Sequence, residues 1–290
     1  MSTERPPRAP VVWYVLWAVA ALVVTLAVLV LPDTGVGYDA HAYWLAARNL
    51  GDPYTRPPLA RDAFLYSPLF LQIVWPLAQL PWFAFGVVWS SLVAAAFLWL
   101  LRPLPLSLRV PALLACSPEV ETGNIYAFMA VAIVLGVTRG SPWLLPGLTK
   151  IVPGGVGVVW HGVRGDWRAL RRGIAVGSAL VGVSWLASPD TWRAWVEFLL
   201  QSTSTGHVGA TTSTVYAAEV VLGLVVVAVG ARTGRPWTLV VATLLLSPTF
   251  GLLTWTVLAA LPRLRQEQRR LQAKRAPGTA ARRPALPARP

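Results

Sequence analysis

Residues 11–31 read VVWYVLWAVAALVVTLAVLVL, a run of 21 positions without a charged side chain. At a rise of ~1.5 Å per residue, a helix of this length crosses a ~30 Å hydrocarbon core. The run is longer than the ~7–15-residue apolar core of a signal peptide, so it predicts a retained first membrane helix. Residues 82–101 are also uncharged and predict a second one.

The rest of the chain has the composition of a membrane protein. Of 290 residues, 55% are hydrophobic and 13% are charged, whereas a soluble domain has about 25% charged residues. Further apolar stretches are interrupted by Pro or Gly, and such breaks are tolerated where the freed backbone groups are buried in protein or line a cavity. The sequence predicts an all-α, polytopic membrane bundle of about 8–10 membrane helices, several of them short or broken.

The distribution of charge predicts the orientation. The net charge is +13, and with a cytoplasmic N-terminus the inner segments carry the positive excess, as the positive-inside rule requires. This favours a multi-pass plasma-membrane protein with both termini cytoplasmic and argues against a nucleic-acid partner. We expect a cytoplasmic tail (1–10), a membrane domain (11–262) with its first extracytoplasmic loop at 32–66, and a basic, disordered cytoplasmic tail (263–290) that contacts membrane lipids.

The first outer loop contains a short amphipathic helix. Ala40, Tyr43, Trp44 and Ala47 follow the i, i+3, i+4, i+7 spacing of one helix face. Asp39 lies at the predicted start of this helix, where it is either the N-cap or a general base that accepts a proton from an incoming hydroxyl.

Other polar residues near the outer boundary have two interpretations each. Lys150 is flanked by apolar runs, so it needs a partner; it either snorkels to the interface or neutralises a phosphate. Glu119, Glu121 and Asn124 form either an exposed hairpin tip or part of a site. His41 is either a solvated helix residue or a ligand contact, and the 201–214 loop with His207 is either a connector or a lid.

Several stretches resemble glycosyltransferase family 87, which includes polyprenyl-phosphate-mannose-dependent α-mannosyltransferases of actinobacterial cell envelopes. They are GYDAHAYW at 37–44, GDPY at 51–54, FLYSP at 64–68, Pro76 with Leu80-Pro81, Gly123-Asn124, LTKIVP at 148–153 and RGDWRAL at 164–170.

The resemblance implies a GT-C type membrane enzyme whose catalytic acid lies in the first extracytoplasmic loop, where this chain has Asp39. By the same comparison Lys150 lies near the donor phosphate, Tyr66 and Asn124 line the pocket, and His207 is a weaker candidate. His41, two residues after Asp39, is a further candidate for substrate binding. The chain lacks a P-loop, a dinucleotide fingerprint and zinc-ligand spacing, so neither a nucleotide nor a metal cofactor is expected.

The function hypothesis is transfer of a hexose, mannose by resemblance, from a polyprenyl-phosphate donor to a glycolipid or polysaccharide acceptor outside the membrane. The alternative is a non-catalytic protein, either a translocase for lipid-linked sugars or a scaffold for envelope assembly, because broken helices and an intramembrane lysine also suit a transport path.

Overall fold

The computed structural model describes residues 11–30, 36–58, 60–204, 213–247 and 253–275. Within these ranges the chain is all-helical, without strands, which confirms the predicted fold class. The α-helices are α1 Val11–Val30, α2 Tyr38–Arg48, α3 Pro68–Ala78, α4 Trp82–Leu101, α5 Leu106–Ala115, α6 Ser117–Thr122, α7 Tyr126–Gly136, α8 Leu144–Thr149, α9 Ile151–Val163, α10 Trp167–Ala187, α11 Pro189–Ser204, α12 Ser213–Thr233, α13 Thr238–Leu245 and α14 Leu261–Arg275. Two 3-10 helices, Ser141–Trp143 and Thr254–Ala260, complete the described elements.

Three helices are long and apolar enough to cross a membrane: α1, α4 and α12. Much of their apolar surface is exposed, as in Leu22 of α1, Phe83 of α4 and Val221 of α12, and in an ordinary soluble protein such contiguous exposure is rare. Helices α3, α5, α7 and α9 are apolar but only 10–17 residues long. The prediction of short or broken helices is confirmed, and the count of eight to ten membrane helices stays a prediction.

Helix α7 forms the centre of the bundle. Most of its residues are buried, including Met129, Ala130 and Ile133. Helix α4 packs on it, and the buried face of α4 is a stripe at every fourth residue, formed by Phe85, Trp89, Val93 and Phe97. One face of α4 is therefore in the protein core while the opposite face is exposed.

Helix α2 forms where the outer loop was predicted to be helical. Ala40, Tyr43 and Ala47 of the predicted apolar face are buried, and α2 packs against α3 and α4. This packing fixes the first turn of α2, and Asp39 with it, against the bundle.

The C-terminal tail corrects the sequence-based expectation. Residues 263–275, predicted to be disordered, continue the helix α14. Leu264 is fully buried, and Arg263 Nε donates to the Trp99 carbonyl oxygen at 2.9 Å. These contacts with the end of α4 order the first turn of a segment rich in helix-forming residues. Residues 276–290 lie outside the described residues.

Candidate active site

Asp39 lies in the first turn of α2 and is not its N-cap. The cap position is Gly37, whose φ of 78° is left-handed, and the Gly37 amide donates to the Glu121 carbonyl oxygen at 2.7 Å. Asp39 Oδ2 instead accepts a hydrogen bond from Asn124 Nδ2 at 2.9 Å. The capping interpretation is therefore wrong, and the carboxylate points to the turn between α6 and α7.

The orientation of Asn124 is set by its own backbone. Its Oδ1 accepts from the Ile125 amide at 2.6 Å, which leaves the Nδ2 group to donate to Asp39. Asn124 is thus a fixed donor directed at the half-buried carboxylate of Asp39. A hydrogen bond donated to a carboxylate stabilises its ionised form and so lowers its pKa.

Gly123 allows this turn to approach α2. It has φ 71° and ends α6, and its carbonyl oxygen accepts from Trp89 Nε1 at 2.7 Å. A Cβ built on Gly123 would lie 2.6 Å from the Ala40 Cβ. A side chain at this position would therefore separate Asn124 from Asp39.

We expect Gly123→Ala to destabilise the fold by about 1–3 kcal/mol, because it combines a strained positive φ with a steric overlap. The matched control is Gly182→Ala in α10, where an added Cβ meets nothing within 4 Å; this helix-interior change should leave stability unchanged or raise it by up to ~1 kcal/mol. Thermal unfolding in detergent measures both. Equal midpoints for the two variants would contradict the assigned role of Gly123.

Glu119 is a fully buried acid beside this turn. Its Oε1 accepts from the Ala127 amide at 2.5 Å, and its Oε2 contacts Thr256 Oγ1. Burial raises the pKa of Glu119 to about 8, although these bonds oppose the shift. Glu119 is therefore mostly protonated at neutral pH. Its two contacts hold α6, α7 and the 254–260 segment together. Because Glu119 has no exposed surface, it cannot meet a substrate.

Lys150 occupies the break between α8 and α9. Its φ of −142° and ψ of 96° are extended, and Pro153 has no N–H to donate to the Thr149 carbonyl, so the helix is interrupted there. Lys150 Nζ donates to Tyr126 Oη at 2.6 Å. The expectation that this lysine has a partner is confirmed.

Tyr126 links Lys150 to the C-terminal third of the chain. Its hydroxyl lies 3.2 Å from Ser247 Oγ and accepts from Thr254 Oγ1 at 3.2 Å. The Lys150 ammonium is therefore held at a defined position, one end of a polar network that runs through the core.

The charges of this cluster act on one another. Burial raises the pKa of Asp39, while hydrogen bonds from Asn124 and Thr122 and the positive charge of Lys150 oppose the rise. Both Asp39 and Lys150 keep partly exposed surfaces, so a ligand can reach them.

Tyr66 lies next to the same cluster. Its hydroxyl is 3.4 Å from that of Tyr43, and the following amide, of Ser67, donates to the Leu148 carbonyl of α8 at 3.0 Å. Burial, together with the charge of Asp39, raises the pKa of Tyr66. The structure thus brings four predicted site residues together: Asp39, Tyr66, Asn124 and Lys150.

His41 points away from the cluster. Its Nδ1 is 2.7 Å from Asp62 Oδ1, and its ring contacts Trp44 and Trp82. It lines a separate cavity of about 120 Å³ with Arg61 and Asp62. His207 lies outside the described residues.

Tyr126 and Thr256 join the site without having been selected from the sequence. For Glu119 the sequence left open an exposed hairpin tip or part of a site, and its full burial contradicts the exposed tip. Glu119 follows Pro118 between apolar runs, so the cost argument applied to Lys150 favours a partnered position for it as well. Tyr126 and Thr256 carry no such signal. Glu121, by contrast, is exposed, as a hairpin tip would be. Across the described ranges, no three His, Cys, Asp or Glu side chains are grouped closely enough to hold a metal ion.

Comparison with known proteins gives one match. The sequence model of glycosyltransferase family 87 matches residues 64–280, which include Tyr66, Asn124 and Lys150 and begin after Asp39. No curated protein matches the chain significantly, and no solved structure does so.

Proposed function

The chain belongs to glycosyltransferase family 87, and from this premise and the geometry of the site we propose that it transfers a hexose, specifically mannose, from a polyprenyl phosphate to a hydroxyl of a cell-envelope glycolipid or polysaccharide. That it is a membrane glycosyltransferase follows from the family and from its three long apolar helices. One observation carries the finer proposal: a half-buried carboxylate and a fixed ammonium lie in the same polar cluster.

Asp39 is the proposed general base. It is partly exposed, whereas the other acid of the cluster, Glu119, is fully buried. In an inverting displacement the acceptor oxygen bonds to the anomeric carbon as the bond from that carbon to the phosphate oxygen breaks, and the acceptor proton passes to Asp39. Asn124 positions the carboxylate for this step, and its hydrogen bond favours the ionised form.

Lys150 is the proposed partner of the donor phosphate. The departing polyprenyl phosphate leaves as an anion, so it needs a positive charge rather than a proton. Lys150 lies where the α8–α9 helix is interrupted, and its backbone there leaves the ammonium directed at Tyr126. Tyr66 is proposed to line the sugar pocket between the two groups, and this scheme uses neither a metal nor a nucleotide.

The proposed topology places the site outside the membrane. With the N-terminus cytoplasmic, α1 delivers the 32–66 loop and Asp39 to the outer face, and the basic α14 lies inside. Lipid-linked sugars serve as donors at that face because soluble nucleotide sugars are confined to the cytoplasm. The chain is then a multi-pass protein with both termini cytoplasmic.

The proposal is tested with the purified full chain in liposomes that contain polyprenyl-phosphate-[¹⁴C]mannose and an extract of envelope glycolipids and glycans. We expect label to move from donor to acceptor, while radiolabelled GDP-mannose gives no product. Movement of the donor between leaflets without product would replace the proposal with the translocase alternative. Transfer of another hexose, with none of mannose, would correct the sugar and retain the reaction.

A pH profile examines the link between Asn124 and Asp39. Asp39 acts as a base only when ionised, so transfer is lost as pH falls through its pKa. Asn124→Ala removes a bond that lowers this pKa, and we therefore expect the acidic limb of the rate profile to move to higher pH, with little change of the plateau. The control is Asn49→Ala, since the Asn49 side chain donates to the Asp52 carbonyl in an exposed turn. An unshifted limb in Asn124→Ala would separate Asn124 from the base.

A further inference from the structure

A second, basic cavity of about 480 Å³ opens at the other end of the bundle. It is bounded by the 137–141 turn, by residues 164–172 and by Leu271 of α14. Four arginines, Arg139, Arg164, Arg168 and Arg172, line it, against a single acid, Asp166. None of these residues belongs to the site around Asp39.

Two helices separate this cavity from the sugar-transfer site. Helix α7 has Tyr126 at its start and leads into Val137 and Arg139, and α9 begins directly after Lys150 and ends directly before Arg164. Their 11 and 13 residues span ~16–20 Å at ~1.5 Å per residue. The cavity is therefore a distinct place on the opposite face of the described bundle.

The walls of the cavity are closely packed. A Cβ at Gly140 would lie 2.0 Å from the Ala169 carbonyl oxygen, and one at Gly173 would lie 2.8 Å from the Gly140 carbonyl carbon. The two glycines thus let the turn touch the first turns of α10. His161, fully buried in α9, holds the same turn, since its Nε2 lies 3.0 Å from the Gly136 carbonyl oxygen and 3.2 Å from that of Arg139.

The positive charge in the cavity is only partly neutralised. Arg164 Nε donates to Asp166 Oδ2 at 3.0 Å, and its guanidinium stacks 5.1 Å above the Trp160 ring. Its Nη1 is buried and has no hydrogen-bond partner in the part of the chain that the structure describes. In that same part, Arg139, Arg168 and Arg172 form no ion pair.

We propose that this cavity binds a phosphate-type oxyanion, presented either by a phospholipid head group or as a free phosphate. Guanidinium groups match the oxygen geometry of phosphate in bidentate pairs, and a phosphate would supply acceptors to Arg139, Arg168 and Arg172, which form no ion pair within the described ranges. The first turn of α10 adds the partial positive charge of a helix N-terminus at the same wall. The volume leaves room for a substituent on the phosphate.

The test measures binding to the purified full chain without any sugar-transfer assay. Its outcome therefore does not depend on whether the proposed function is correct. One arm titrates delipidated protein in detergent with dioleoyl phosphatidate and counts adducts by native mass spectrometry, with dioleoyl phosphatidylcholine for comparison. The other arm titrates inorganic phosphate by calorimetry. The variants are Arg164→Gln and the double variant R168Q/R172Q. Because Arg168 and Arg172 are exposed, the double variant leaves the packing of Arg164 on Trp160 intact. The matched control is R232Q/R235Q, which removes the same charge elsewhere.

We expect one phosphatidate or one phosphate per chain, weakened about tenfold or more by R168Q/R172Q and unchanged by R232Q/R235Q. If only phosphatidate binds, the ligand is a lipid head group. If both probes bind, a phosphate without a lipid is sufficient for binding. The proposal is overturned if neither probe binds the unmodified protein, or if the cavity variants and the control bind equally well.

Discussion

We expect Asp39→Asn to lower the rate of sugar transfer by about 10²–10⁴-fold, the contribution of a positioned general base. The change is isosteric, and the amide oxygen of the new side chain still accepts from Asn124 Nδ2, so the contact between α2 and the α6–α7 turn survives. What is lost is the capacity to take a proton from the acceptor hydroxyl. The measurement is initial transfer rate from polyprenyl-phosphate-mannose, with donor binding determined separately.

The matched control for Asp39→Asn is Asp52→Asn in the same outer segment, where the side chain is exposed and the rate should stay within about twofold. Normal expression, unfolding temperature and donor affinity in Asp39→Asn, together with the lost rate, would assign the defect to chemistry. Turnover close to that of the unmodified protein would remove Asp39 from the mechanism. Glu119 would not replace it, because Glu119 is fully buried.

The sequence predicted those parts of the fold that depend on local pattern. The charge-free run at 11–31 gave α1, the run at 82–101 gave α4, and the spacing of Ala40, Tyr43 and Ala47 gave the buried face of α2. Each of these patterns lies within about one helix length. It follows from the preference of each side chain for water or for an apolar environment.

The site depends on contacts between distant residues, which such patterns do not contain. Thr256 meets Glu119 across 137 positions, and Tyr126 meets Ser247 across 121. Asp39 was found because a resemblance marked its motif, and Lys150 because an ammonium among apolar residues is costly. His41 matched the same motif as Asp39 but is two positions along α2, so its ring turns to Asp62 on another face.

Disorder in the tail was predicted from composition alone. Composition does not show whether a segment packs against the rest of the protein. The basic residues after 262 suggested a solvated chain, yet Leu264 is buried and Arg263 reaches the Trp99 carbonyl. These contacts at the start of α14 order its first turn, and each further residue then propagates an existing helix rather than nucleating a new one.

We expect Lys150→Met to lower the transfer rate by about 10²–10³-fold, as when one group that stabilises a developing anion is removed. Methionine has nearly the length of the lysine stem, so the break between α8 and α9 stays filled. Lys150→Arg keeps the charge but not the compact ammonium, and we expect it to retain an intermediate rate. Arg193→Gln, which removes an exposed cation paired with Asp190, is the control and should leave the rate unchanged.

The pH profile of Lys150→Met distinguishes two ways in which the lysine could act. Its charge lowers the pKa of Asp39, so its removal moves the acidic limb to higher pH, as Asn124→Ala does. If that were its whole effect, the rate would recover fully once the pH exceeded the raised pKa, because Asp39 would again be ionised. Stabilisation of the departing phosphate does not depend on the ionisation of Asp39, so its loss lowers the plateau as well. A lowered plateau in Lys150→Met beside a normal one in Asn124→Ala therefore assigns the ammonium to the leaving group, and full recovery at high pH would restrict Lys150 to holding Asp39 ionised.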